Sequence, residues 1–254
     1  MPRSLAPAVL AALFAVVPAA GFAQSSDAAH HVAEGDAAYA KRRAPEALKH
    51  YLAALKADST NADALWRASR TETELSEYDS THADALLADA ERHARGAVAA
   101  APKDAHTHFA LAYALGRKAL RVSVAERLPY ATEIHKEVTA CLAIAPKDAP
   151  CLHVLGVWDA EYMRLGSFTR EMANTMSGGK LFANATWEEA ERNLKAAIEV
   201  EPKRAIHHLD LARIYRDQGK AEEAKKEYQA VLDAPLTDYN DENYRAEAKA
   251  ALAK

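Results

Sequence analysis

The sequence has few glycines, short β-branched runs and little aromatic content. Nine glycines and 7% aromatic residues stand against a large share of alanine, leucine, glutamate, lysine and arginine, which favours helix over sheet. Beyond the first residues no stretch is long and apolar enough to cross a membrane, so we expect no integral span in the mature chain. We therefore expect an all-α protein.

Motifs of the common catalytic classes are absent too. The chain has no phosphate-binding loop, no nucleophile elbow and no HExxH motif. Its formal net charge is −4 with both signs interspersed, so nothing indicates nucleic acid binding. The histidine pairs His106/His108 and His207/His208 have spacings that do not share a helix face, and His30 and His31 lie beside the N-terminal segment. We predict a non-enzymatic protein with no cofactor, no metal site and no nucleic acid partner.

The first residues have the pattern of a secretory signal peptide. Arg3 precedes an apolar segment over residues 5–20, and Gly21 and Ala23 are small residues suited to cleavage before Gln24. We predict a signal peptide over residues 1–23 and an exported mature chain, periplasmic or secreted. An uncleaved N-terminal membrane anchor is the alternative.

Four prolines occur in similar surroundings, each at the end of a helical pattern. They are Pro102, Pro146, Pro202 and Pro235, and the last two lie 33 residues apart. This period is typical of repeat proteins built from helical pairs. We predict one repeat array over residues 24–254.

The last repeat has the clearest pattern. Leu211, Ala212 and Tyr215 form one helical stripe, Gly219 marks a turn, and a second stripe follows over residues 221–232. This order of small residue, aromatic residue, glycine and proline closely resembles a tetratricopeptide repeat (TPR). The resemblance implies a right-handed superhelix of about five helix pairs, with irregular insertions near 76–84, 121–130 and 165–185.

From about residue 107 onward the chain is also similar to the regulator of microtubule dynamics family. The similarity depends on "LGVW" at 155–158, on the insertion with Lys180 and Phe182, and on "ATWEEA" at 185–190. For that family the resemblance implies microtubule association and, in one branch, phospholipid binding and transfer. Export would place this chain in a compartment without microtubules.

The first helices of stacked pairs line a concave groove, and the repeat register predicts which residues face it. Some of these side chains could instead pack between repeats. The predicted groove and ligand-binding residues are Tyr39, Trp66, Arg70, Phe109, Tyr113, His153, Val157, Met172, Met176, Leu209, Arg213 and Arg216.

The insertion near 165–185 holds an unusual methionine pattern. Phe168, Met172 and Met176 recur at spacings of four and would form one apolar face of a short helix that Gly178 and Gly179 end. Methionine is common on adaptable binding surfaces. We hypothesise an apolar lid over the groove; padding on the outside of the array is the alternative.

The two cysteines, Cys141 and Cys151, flank the turn at Pro146. An oxidising compartment would allow a disulfide across this turn. Alternatively, Cys141 fills a position that alanine occupies in other repeats.

Two functions follow from these patterns. The first is a scaffold that holds a protein or peptide partner in the groove. The alternative is a carrier of an apolar ligand or phospholipid, which a continuous buried apolar tunnel would favour.

Overall fold

In a computed structural model of the protein, which describes residues 20–253, the chain forms twelve α-helices and, over that range, no strand. The helices α1 to α12 span Ala20–Tyr39, Ala44–Ala57, Ala62–Ser76, Ala83–Ala100, Ala105–Ala119, Arg127–Ile144, Ala149–Met163, Ser167–Met176, Trp187–Val200, Ala205–Asp217, Ala221–Asp233 and Asp241–Leu252. The predicted all-α repeat fold is confirmed. Most of the predicted signal peptide lies outside the described residues, and α1 begins at Ala20.

The helices pack as five successive pairs. The pairs are α1/α2, α3/α4, α5/α6, α7/α9 and α10/α11, which we call units one to five, and α12 packs on the last of them. The second helix of each unit also contacts the first helix of the next. Such a stack buries one continuous core along its length, which no single pair could do alone.

Local sequence signals fix where the helices begin. The side chains of Asn61 and Asp148 accept hydrogen bonds from backbone amides three residues on, at 2.9 Å in both cases. Thr186 does the same for the amide of Glu189 at 3.1 Å, which makes it the N-cap of α9. After α10 the turn is made by Gly219, whose φ of 74° lies in the left-handed region that glycine adopts without strain.

Small residues let the two helices of unit four approach closely. A side chain on Gly156 of α7 would place its first carbon 3.0 Å from the carbonyl oxygen of Ala190 on α9. Ala190 and Leu194 are fully buried at this contact. In unit four the backbone of α7 at Gly156 therefore packs directly against the backbone of α9.

The C-terminal helix closes the array on itself. Asn240 donates from Nδ2 to the carbonyl oxygen of Glu74, at 2.9 Å, and the hydroxyl of Tyr244 donates to Glu77 at 3.0 Å. Glu74 lies in the last turn of α3 and Glu77 directly follows that helix, so these bonds join unit two to the last helix across more than 160 positions. The concave face is therefore curved enough for α12 to reach its opposite wall.

None of the described helices combines the length and the low charge that a membrane-crossing segment needs.

Candidate ligand-binding cavity and groove

The N-terminal part of the groove is a packed cluster rather than an open surface. The Arg70 guanidinium lies 3.7 Å from the centre of the Tyr39 ring and 5.1 Å from that of Trp66. Trp66 is 8% exposed and stacks on His106 with the ring centres 4.8 Å apart. Cations over aromatic faces are attracted by the ring quadrupole. These predicted groove residues therefore contact one another and leave little surface for a partner.

A buried carboxyl group lies beneath this cluster. The Tyr39 hydroxyl donates to Glu74 Oε1 at 2.6 Å, and the second oxygen, Oε2, has no hydrogen-bond partner among the described residues. Burial raises the pKa of Glu74 to about 7, and the nearby Arg70 opposes that rise. Because a buried charged carboxylate is costly, this group favours the protonated form below neutral pH.

The C-terminal segment fills the middle of the groove. Arg204, which directly precedes α10, lies 2.9 Å from Asp238 in the loop before α12, and Asn240 and Tyr244 bond to unit two as described above. Phe109, Tyr113 and His153 line a smaller recess together with these residues. The groove in this structure is therefore occupied by the protein's own chain.

A larger cavity opens between units three and four, with a volume of about 200 Å³. Its walls come from α5, α6, α7 and α8, and Tyr244 of α12 contributes to its edge. Apolar and aromatic side chains form most of its wall: Leu128, Ile134, Val154, Val157, Trp158 and Phe182. An engineered apolar cavity of about 150 Å³ is enough to bind benzene, so this one has room for a larger apolar group.

Stacked aromatic rings form one side of the cavity. The Phe182 ring lies 5.1 Å from Trp158 and 4.3 Å from Tyr162, nearly parallel to both. Trp158 Nε1 donates to the carbonyl oxygen of Ala131 at 2.9 Å, which fixes the indole against α6. Phe182 belongs to the insertion after α7 and is 7% exposed. The insertion therefore supplies an anchor that completes the cavity wall.

Charged side chains lie at one rim of the cavity. Arg117 is 3.6 Å from Glu77, and Arg127 is 3.7 Å from Glu161. Both separations exceed a normal hydrogen bond, and Arg127 donates from Nε to the carbonyl oxygen of Val122 at 3.4 Å. A guanidinium group has five N–H donors, so both arginines keep donors available for another acceptor. The cavity lining thus combines apolar side chains with two cations, each beside a carboxylate.

A third arginine at this rim is held more firmly. Arg213 lies 2.7 Å from Asp210 and 2.8 Å from Glu247. Burial acts to raise the pKa of Asp210, but Arg213 and His153 outweigh it and hold that pKa well below its usual range. Asp210 therefore stays ionised, and Arg213 is committed to it.

Helix α8 lies over the cavity, but with the opposite face inward from the one predicted. Thr169 and Ala173 line the cavity. Phe168, Met172 and Met176 are 77%, 48% and 67% exposed. The spacing correctly places these three on one face, but that face points to solvent, and the face with Thr169 and Ala173 turns toward the cavity. Met172 and Met176 therefore do not line the cavity.

The other predicted site residues divide into three groups. Tyr113, His153, Val157 and Arg213 line the cavity. Leu209 is fully buried in the core of unit five, and Arg216 is exposed and pairs with Asp217 at 3.1 Å. Leu209 therefore faces the neighbouring helices rather than the groove.

Sequence reasoning missed the side chains from outside the concave face. Trp158 lies one residue after Val157, and Tyr162 follows it at helical spacing, a pairing that marks a second apolar face on α7. Leu128, Ala131 and the other α6 residues come from the second helix of unit three. A prediction of groove residues from the first helices of the units therefore leaves them out.

A disulfide lies behind the cavity. Cys141 near the end of α6 and Cys151 near the start of α7 are bridged, with Cα atoms 6.4 Å apart. Both are fully buried. The bridge joins unit three to unit four, the two units that form the cavity.

Comparisons with solved structures agree with this architecture. A thermophilic TPR protein from Thermus thermophilus superposes with a TM-score of 0.63 at 20% identity, covering 89% of this chain and 100% of that one. PilF from Pseudomonas aeruginosa gives a TM-score of 0.50 at 12% identity, covering 91% of this chain and 89% of that one. At these identities the likeness shows a TPR-type fold.

The sequence comparisons are more specific. The family described as regulator of microtubule dynamics protein 1-3 has a profile that matches residues 31–254. Regulator of microtubule dynamics protein 1 from Mus musculus is 24% identical over 151 residues, 57% of this chain and 48% of the mouse protein. The chain thus spans about half the length of that curated relative. Since the family profile covers nearly all of the described residues, the chain belongs to the regulator of microtubule dynamics protein 1-3 family.

Proposed function

We propose that this protein is a non-enzymatic carrier that binds the acyl chain of a lipid or a similar apolar ligand between units three and four. The observation that carries the proposal is the cavity of about 200 Å³ with its wall of apolar and aromatic side chains. Ligand sites are typically concave and mostly apolar, with a few polar groups that fix orientation. The TPR-type fold and the family are equally compatible with a binding scaffold.

The rim suggests how such a ligand would be oriented. An acyl chain would lie against Trp158 and Phe182, and an anionic head would meet Arg117 and Arg127 at the entrance. Guanidinium groups bind carboxylate and phosphate through paired hydrogen bonds. The resemblance-based expectation of phospholipid binding points to the same ligand class.

Gly116 on α5 offers a direct test, because it lines the cavity and a Cβ added there would meet nothing within 4 Å. Gly116→Leu would place a branched apolar side chain in the cavity. We expect it to weaken binding of a fluorescent polyunsaturated fatty acid about tenfold or more, a loss of about 1.4 kcal/mol or more. The matched control is Ala99→Leu, at an exposed position on α4.

The measurement is a fluorescence titration of the wild type and both variants. A well-folded Gly116→Leu variant that binds the fatty acid as tightly as Ala99→Leu would refute the cavity as the ligand site.

A second candidate function is the holding of a peptide segment in the groove. The contacts of Asp238, Asn240 and Tyr244 favour it, because they show how the groove accommodates an extended segment followed by a helix. Tyr244→Ala should weaken the hold on α12, and a labelled peptide of residues 235–252 should then bind in trans. Changing Asp238 to Asn in that peptide should weaken binding, since the pair with Arg204 is lost.

The control for this second function is the wild type, whose groove is occupied. If amide exchange shows α12 released in Tyr244→Ala but the peptide does not bind, the groove is not a peptide site.

For localisation we propose export, on the basis of the N-terminal pattern alone. Fractionation of native cells, with mass determination of the N-terminus, tests it: a mature chain that begins at Gln24 supports export with cleavage. A full-length chain in the cytosol contradicts it.

A further inference from the structure

Three imidazoles converge on a single carboxylate in unit one, far from the cavity. His31 Nδ1 and His50 Nδ1 each lie 3.1 Å from Glu34 Oε2. His30 Nε2 lies 3.4 Å from the other oxygen, Oε1. His31 and Glu34 are three positions apart on α1, and His50 comes from the facing helix α2. The pairing of two helices, rather than the local sequence, therefore assembles the group.

We propose that His31, Glu34 and His50 form a binding site for a divalent transition-metal ion such as Zn²⁺. Their three ligand atoms all lie within 4.8 Å of one another. Zn–N bonds of about 2.0–2.1 Å in a tetrahedral site place neighbouring ligands about 3.3 Å apart, close to the two separations of 3.1 Å. Small side-chain movements are therefore enough to enclose the ion.

The remaining histidine supports this geometry from outside. His30 approaches Oε1 of Glu34, so that Oε2 stays directed toward the two Nδ1 atoms. Polar contacts to the second atom of a ligating side chain orient that ligand and are a regular part of metal sites. A tetrahedral ion would have one remaining position for water, since three protein ligands and one exchangeable ligand are a common arrangement.

Two other exposed histidines form simpler pairs. His82 lies 2.7 Å from Asp79, and His106 lies 2.9 Å from Asp104, each with one imidazole on its carboxylate. A single hydrogen-bonded pair explains those sites fully. Glu34 differs because three imidazoles from two helices share one carboxylate, and imidazole nitrogen is a preferred ligand of zinc, copper and nickel.

A bound ion would stabilise unit one by joining its two helices. The core of this unit combines small residues such as Ala28, Ala47 and Ala54 with one large buried ring, Tyr51. A metal bridging His31 and His50 would join the two helices at the end of the array. This role is independent of the cavity, and its failure would leave the proposed ligand function untouched.

The test is a calorimetric titration of the tag-free full chain with Zn²⁺ in a buffer that does not bind metals. We expect one tight ion per chain in the wild type. His50→Ala and Glu34→Gln should each lose about tenfold or more in affinity, in line with the loss that supporting groups alone can cause. The matched control, His82→Ala, removes an exposed histidine with one carboxylate partner and should bind as the wild type does.

Two further readouts keep the test decisive. Circular dichroism checks that the variants remain folded, and zinc-edge X-ray absorption of the wild type should show two imidazole nitrogens on the ion. If the ion joins α1 to α2, removal of zinc should lower the amide protection of α1 in the wild type. The same treatment should not change the protection of α1 in His50→Ala. Equal zinc affinity in folded His50→Ala and His82→Ala variants would overturn the proposal.

Discussion

The close contact at Gly156 decides whether an added side chain there raises or lowers the stability of the protein. In Gly156→Ala the new carbon would lie 3.0 Å from the Ala190 carbonyl oxygen and 3.2 Å from the Leu194 backbone nitrogen. Both atoms belong to the backbone of α9 and cannot rotate away, so α7 and α9 must separate. Overpacking of this kind costs about 1–3 kcal/mol, whereas alanine gains only about 0.5–1 kcal/mol over glycine within a helix.

We therefore expect Gly156→Ala to lower the free energy of unfolding by about 1–2 kcal/mol, or about 2–8 °C in Tm for a chain of this size. Gly156→Leu should cost more, because its branched end adds to the same clash. Gly116→Ala is the control: it is also within a helix, but its new carbon meets nothing within 4 Å. That variant should gain about 0.5–1 kcal/mol.

The assay is urea denaturation followed by circular dichroism, with amide exchange to show where the loss occurs. Protection should fall in α7 and α9 and remain unchanged in unit one, because contacts in a repeat array are between neighbours. The reasoning would be refuted if Gly156→Ala were as stable as Gly116→Ala.

Three further predictions concern single features of the fold. Burial raises the pKa of Asp159 from 3.8 to about 7, so its contribution to stability is fully present below pH 3.8 and is lost as pH rises through 7. The free energy of unfolding should therefore fall by about 2–3 kcal/mol more between pH 5 and pH 8 in the wild type than in Asp159→Asn, as measured by denaturation at the two pH values. The Cys141→Ala/Cys151→Ala double variant should lose about 2–3 kcal/mol against the oxidised wild type, and equal stability of the two would contradict this role of the bridge. Met172→Glu/Met176→Glu should change the free energy of unfolding by less than about 0.5 kcal/mol and leave fatty acid affinity unchanged, because both side chains point to solvent. Weakened fatty acid binding in a stable double variant would instead support the hypothesis that this face of α8 is a lid over the groove.

The repeat units were predictable from the sequence because each depends on local spacing. Gly219 makes the turn that the last repeat predicts, and the predicted stripe of Leu211, Ala212 and Tyr215 is buried. Such features involve residues within one unit, where helical periodicity decides which side chains meet.

Features that depend on curvature or on a choice of face were not predictable. The contact of Tyr244 with Glu77 requires the whole array to curve until its ends approach. The apolar face of α8 is the exposed one, so the spacing of its apolar residues does not indicate that Thr169 and Ala173 turn toward the cavity. The meeting of His50 with Glu34 needs the register of two helices, which the spacing of histidines along the sequence does not give.

The most direct test of the carrier function is a crystal structure of the full chain bound to a fatty acid brominated at mid-chain. The account predicts anomalous bromine density between α5, α7 and α8, within contact of Val157 and Trp158 and beside Gly116. Bromine density found only on the outer surface, with the cavity filled by water, would contradict it.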